Sequence, residues 1–149
     1  MKILIQFAFI LILLSSCTFE EDVKFEKIDN VKLTSVEDGM VNLTAEAYFY
    51  NPNDIGGKLK SIELEVFLTN SSLARISQQE HFTIEKNSSF SIPFAASFAM
   101  EDIQKGFLDN LLSIVTGKKL KLHFTGEIKI STWGFTQTVP VDYYEEVKL

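Results

Sequence analysis

A chain of 149 residues with 13 phenylalanines is long enough to bury the core of one domain and short for two. Its 20 acidic side chains outnumber 14 basic ones, and the bases fall in short pairs such as Lys118-Lys119, which excludes a nucleic-acid partner that needs clustered cations against phosphate. The lone cysteine, Cys17, excludes a disulfide within the chain.

The first predicted element is a leader. Lys2 gives a positive start, Ile3 to Leu14 is apolar apart from Gln6, and Ser15 and Ser16 are small. That is the layout of a secretory signal. The apolar run is about 12 residues, short of the roughly 20 that span a bilayer, and it lacks the polar face of a core helix. Leu14-Ser15-Ser16-Cys17 resembles the lipobox of bacterial lipoproteins. The resemblance implies cleavage before Cys17, diacylglycerol on that cysteine, and acylation of the new amino group, with palmitate as a candidate chain. Two or more chains would hold the protein stably, at about 0.8 kcal/mol per buried CH₂. The expected layout is a signal peptide at 1–16, a lipidated cysteine with an acidic tether at 17–24, and a body at 25–147. The expected location is the bacterial cell envelope, lipid-anchored, at the outer membrane. Glu20, Glu21 and Asp22 resemble a surface-display signal of some Gram-negative groups, and read equally well as a solvated tether. The covalent lipid aside, no cofactor is expected.

The body reads as strands with one wet face, the habit of antiparallel sheets. A short strand is expected near Lys27–Leu33. Glu37-Asp38-Gly39 then turns the chain. Val41, Leu43, Ala45, Ala47 and Phe49 alternate with Asn42, Thr44, Glu46, Tyr48 and Tyr50, and Ile62, Leu64, Val66 and Leu68 repeat the pattern. Breaks at Thr69–Ser72 and Lys86–Ser88 flank short strands near Ser72–Ser77 and His81–Glu85. Phe90, Ile92 and Phe94 follow. Met100 to Val115 switches to helical spacing through Ile103, Phe107, Leu108, Leu111 and Leu112. Glu101 and Asp102 suit its N-terminal end, and Lys118 and Lys119 its C-terminal end. One amphipathic helix over an open end or edge is therefore predicted. Leu120, Leu122, Phe124, Ile128 and Ile130 form the longest strand, Ser131–Gly134 a hairpin connection, and Val139, Val141 and Tyr143 the last strand. Seven or so strands with such breaks predict an all-β protein, an immunoglobulin- or fibronectin-III-like antiparallel sandwich.

Tyr50-Asn51-Pro52-Asn53-Asp54-Ile55-Gly56-Gly57 ends one strand for local reasons. Pro52 lacks a ladder donor. Asn51, before proline, stays extended. Asn53 and Asp54 can bond their own backbone, and the glycines permit positive φ. The stretch YFYNPNDIGGKLKSIELEVFLTN resembles the signature of the late-embryogenesis-abundant type 2 family, or WHy domain. SIPFAASF, the amphipathic segment, KLKLHFTGEIKI and TQTVPVDY follow in that family's order, and the resemblance runs from Phe25 to Val147. Asn51, Pro52, Asn53 and Gly126 occupy its motif positions, with Pro93 and Pro140 at similar strand positions. It implies a two-sheet β-sandwich with one helix, an association with stress tolerance, and no catalytic residues.

Chemistry-bearing residues are sparse. His81 and His123 lie on separate strands, without the closely spaced further ligands of a zinc site. Glu63 and Glu65 share a strand face about 7 Å apart, a loose match to a glycosidase pair and a common feature of wet strands. Gly-x-Ser-x-Gly and phosphate-loop motifs do not occur. Tyr48, Tyr50 and Phe67 are aromatic on polar parities, and Trp133, Tyr143 and Tyr144 fall near the last hairpin. Tyr48, Tyr50, Trp133 and Tyr143 are the candidate binding aromatics. The expected role is a membrane-anchored, non-enzymatic module for binding or envelope protection. The alternatives are an adhesion module for a glycan or protein, and a hydrolase with an unrecognised site.

Overall fold

The structure is a computed structural model that describes residues 21–35, 37–79, 82–102, 120–132 and 134–147. Cys17, His81 and Trp133 lie outside the described residues. So does nearly all of the helix expected over Met100–Val115, of which Met100, Glu101 and Asp102 are described and helical. Among the described residues no helix is long and apolar enough to cross a membrane.

Eight strands are described, against the seven or so expected: β1 (Lys24–Ser35), β2 (Met40–Asn51), β3 (Gly57–Leu68), β4 (Ser71–Gln78), β5 (Thr83–Ile84), β6 (Ser88–Ala99), β7 (Leu120–Thr132) and β8 (Phe135–Val147). A three-residue 3₁₀ turn, Glu37–Gly39, joins β1 to β2, with Asp38 and Gly39 at positive φ. One sheet has the order β1-β2-β6. The other has β4-β3-β7-β8, with β5 paired to the start of β3. Every pairing is antiparallel. The architecture is an all-β sandwich.

Side-chain parity explains why these segments pair as they do. Val41, Leu43, Ala45, Ala47 and Phe49 are all buried, as are Ile62, Leu64, Val66 and Leu68 on β3 and Leu120, Leu122, Phe124, Ile128 and Ile130 on β7. A one-residue slip in any of these strands would turn its whole apolar set to water, so burial itself fixes the register. Phe49 stacks on Phe90 with centroids 5.4 Å apart, and Phe94 of β6 meets Phe124 of β7 edge-on at 5.9 Å, joining the two layers. At the seam between β1 and β8, Phe25 lies edge-on to both Phe49 (5.4 Å) and Tyr143 (5.7 Å). Val23 is buried and Lys24 opens β1, so the fold takes in two residues that the sequence reading assigns to the tether.

Gly126 sits in the middle of β7 opposite Leu64, at φ +151°. A Cβ there would lie 2.1 Å from the Glu63 carbonyl oxygen and 2.9 Å from Leu64 Cα. The glycine lets the β3 and β7 backbones approach where a side chain would separate them. Gly126→Ala is expected to cost roughly 2–4 kcal/mol through strained φ and overpacking, read as a lower urea midpoint in unfolding followed by circular dichroism. An unchanged midpoint would show that β3 and β7 can part without cost.

Candidate functional site

Two constellations emerge, one at an end of the sandwich and one on an outer face. The first is built on Asn51, the only buried polar side chain among the described residues, 3% exposed. Its Nδ2 donates to the Ile55 carbonyl (3.0 Å) and to the Glu85 carbonyl (2.9 Å). Its Oδ1 accepts from the backbone N–H and the side-chain amide of Asn53, each at 3.1 Å. Both donors and the acceptor are therefore used. Asn53 Nδ2 also donates to the Glu21 carbonyl (2.7 Å), Asn87 N–H donates to the Asn53 carbonyl (2.9 Å), and Asn87 Nδ2 donates to Asp54 Oδ1 (2.6 Å). The turn is thus a junction of three chain segments, residues 51–55, the chain start at Glu21 and the turn at 85–87. Asn53 and Asp54 reach across to other segments, beyond the local turn the sequence suggested. The glycines also differ from expectation. Neither Gly56 nor Gly57 has positive φ. Gly56 is required because a Cβ would meet the Ile84 carbonyl oxygen at 2.6 Å.

The second constellation crosses the outer face of the five-stranded sheet. Pairing sets Phe67 of β3 beside His123 of β7, and His123 beside Tyr144 of β8. The His123 and Tyr144 rings stack with centroids 4.1 Å apart and 6° between planes, and Phe67 is 6.0 Å from His123. Asp142 Oδ1 is 2.7 Å from His123 Nε2, and Lys121 Nζ lies 4.5 Å from the centre of the Tyr144 ring. Tyr144 is 55% exposed. The row sets an exposed aromatic side chain, Tyr144, beside one cation and one carboxylate, a combination suited to contacting a ring-bearing ligand and bonding its polar edge. Glu65 on the same face is engaged by Ser72 Oγ (2.7 Å) and Arg75 (3.8 Å), while Glu63 is exposed.

The candidate binding aromatics do not form one patch. Tyr48 and Tyr50 share the outer face of the three-stranded sheet. The Tyr48 hydroxyl donates to Glu46 (2.7 Å) and accepts from Asn30 Nδ2 (3.1 Å), and the Glu46 hydrogen bond holds its pKa above the usual phenol value. Lys27 lies 5.1 Å from the Tyr48 ring centre and pairs with Asp29, which that lysine keeps below the ordinary carboxylate range. An open concavity of about 540 Å³ on this face is lined by Lys32, Thr44, Glu46, Gln78 and Pro93. Tyr143 instead points into the β1–β8 seam, and Trp133 lies outside the described residues. Tyr143 and Tyr144 pair with Phe124 and His123, far along β8 from the hairpin end near which the sequence reading places them.

The fold and the Asn51 junction define a β-sandwich closed at one end by an Asn-Pro-Asn turn. The family described as "Late embryogenesis abundant protein", type 2, matches residues 48–143, from Tyr48 through the Asn51 turn and Gly126 to Tyr143. The chain belongs to that family. No curated protein matches it. Among solved structures, a solution structure of a protein from Arabidopsis thaliana superposes with a TM-score of 0.71 at 12% identity, covering 91% of this chain and 87% of that one. A crystal structure of a protein from Archaeoglobus fulgidus gives 0.59 at 13% identity, covering 85% and 98%. At these identities the likeness is one of fold.

Asn51→Ala would strand the Ile55 and Glu85 carbonyls and is expected to cost roughly 2–4 kcal/mol. Asn51→Asp tests the donor requirement. Burial and two facing carbonyls would raise that carboxyl's folded pKa above its unfolded value, so its stability deficit should be smallest below about pH 4, where its one O–H can still meet one carbonyl, and grow as pH rises through the folded pKa. Urea midpoints from pH 4 to 8 check this; a deficit that shrinks with rising pH contradicts the hydrogen-bond assignment.

Proposed function

We propose that this chain is a lipid-anchored bacterial envelope protein in which a late-embryogenesis-abundant type 2 sandwich serves a binding or protective role without catalysis. One observation carries the reading: Leu14-Ser15-Ser16-Cys17 closes a charged and apolar leader only a few residues before the fold begins at Val23 and Lys24. Acyl chains on Cys17 would hold the body at a membrane, and the family supplies the body. The family's stress association and the outer-membrane location belong to the same reading. Intact mass spectrometry of the protein from its native membrane should show a chain that starts at Cys17 and carries diacylglycerol and an amide-linked acyl chain. Labelled palmitate should enter the wild type and not Cys17→Ser. An uncut leader or a free thiol overturns the reading.

The Phe67–His123–Tyr144 row favours a second reading within it, an adhesion module for a glycan. Titration with fragments of envelope polysaccharide should shift the His123 imidazole NMR signals. Tyr144→Ala should weaken that response about tenfold or more, a loss of about 1.4 kcal/mol or more, while leaving stability within about 0.5 kcal/mol. Equal responses in the two proteins would remove the row from any such site.

A further inference from the structure

Phe135 opens β8 at the β7–β8 hairpin and is 78% exposed, the most exposed of the large apolar side chains described. We propose that it is a second membrane contact, a side chain that enters the lipid headgroup region beside the anchor. The inference rests on the reading that Cys17 is lipidated.

The geometry is set by how the start of the chain is held. The Glu21 carbonyl accepts from Asn53 Nδ2 at 2.7 Å, and Val23 N–H donates to Gln137 Oε1 at 3.3 Å. Residues 21–23 are thereby pinned to the Asn-Pro-Asn turn and to the start of β8, two residues from Phe135. Cys17 and Glu21 are four residues apart, so the covalent chain between them spans at most about 14 Å. The strands are far longer: β2, with 12 residues, runs about 40 Å. A body tethered this briefly presents its Asn51 and Phe135 end to the bilayer and cannot turn the Thr69-Asn70 end toward it.

The charges at the facing end argue for an apolar contact. Lys24, Lys58 and Lys86 are exposed there, but so are Glu21, Asp54 and Glu85, and Lys24 is already paired with Glu21 at 2.9 Å. Nothing in that balance would draw the end to anionic lipid. A single aromatic side chain binds a membrane weakly, and it becomes effective once an anchor makes the encounter intramolecular.

The test uses the full lipidated chain. With the Cys17 thiol occupied by lipid, Phe135→Cys supplies one free thiol, which is labelled with an environment-sensitive NBD fluorophore. Asn70→Cys serves as the control at the far end. Both are reconstituted into phosphatidylcholine vesicles with or without a shallow doxyl-labelled lipid. The expected result is a blue-shifted label at 135, quenched at least twofold more than the label at 70. Equal quenching at the two positions in vesicles that retain the protein overturns the membrane contact and leaves the anchor standing. A chain that takes up two labels and stays in the aqueous phase overturns the anchor, and the contact with it.

Discussion

The sandwich depends on one buried amide. Asn51 stands where β2 ends, at a point where Pro52 has already removed a backbone donor and the chain must leave the sheet. Leaving a sheet exposes carbonyls that a strand partner would otherwise satisfy, and in a buried place each orphan is costly. The Asn51 amide answers two of them, Ile55 and Glu85, while its own oxygen is met by Asn53. Serine has one donor and an ionised aspartate has none, so neither could hold both carbonyls. Because Glu85 lies 34 residues further on, this side chain ties the end of β2 to the β5–β6 turn. Through Asn53 it reaches the residues before β1 as well.

The sheet edges show the same economy of means. In the described residues the outermost strands are β1 and β6 in one sheet and β4 and β8 in the other. Pro93 lies in β6 and Pro140 in β8, where a missing N–H breaks no interior ladder and blunts pairing with another chain. β1 carries two register shifts, one near Asn30 at φ +56°, together with Lys24, Lys27 and Lys32. β4 has eight residues, and its pairing with β3 shifts at Val66 and Phe67. Each edge thus has its own obstacle to open-ended strand addition.

The strands were legible because burial follows a two-residue period on single-sided sheets, and the alternation from Val41 to Phe49 or from Leu120 to Ile130 needs no partner to be read. What the pairing builds was not legible. Asn51, Pro52 and Asn53 look like a strand stop, and they are one, but the reach to Glu85 and Glu21 exists only once β5 and the chain start are in place. Gly126 looks like an isolated weakness in a strand until the β3 backbone is set 2.1 Å from its missing Cβ. Phe67, His123 and Tyr144 stand on wet parities of three strands, and only the registers of β3 with β7 and β7 with β8 align them. Tyr143 shows the converse. Its parity is that of Val139 and Val141, so it belongs to the seam against Phe25, while its neighbour Tyr144 faces out.

These placements separate two tasks along the strands. The Asn51 end carries the junction, the chain start and Phe135. The aromatic row lies toward the other end of the same sheet: Phe67 is ten residues along β3 from Gly57, about 33 Å by strand rise. Were Cys17 the anchor, that distance would carry the row past the headgroups into the aqueous space, facing sideways from a body whose strands stand away from the bilayer. A ring-bearing ligand would meet it there without competing with lipid. Were Cys17 the anchor, the buried Asn51 amide would also help to set the direction of what the other end displays, since it positions Asn53, and losing the Asn53 hold on Glu21 would lengthen the tether to the next pin at Val23.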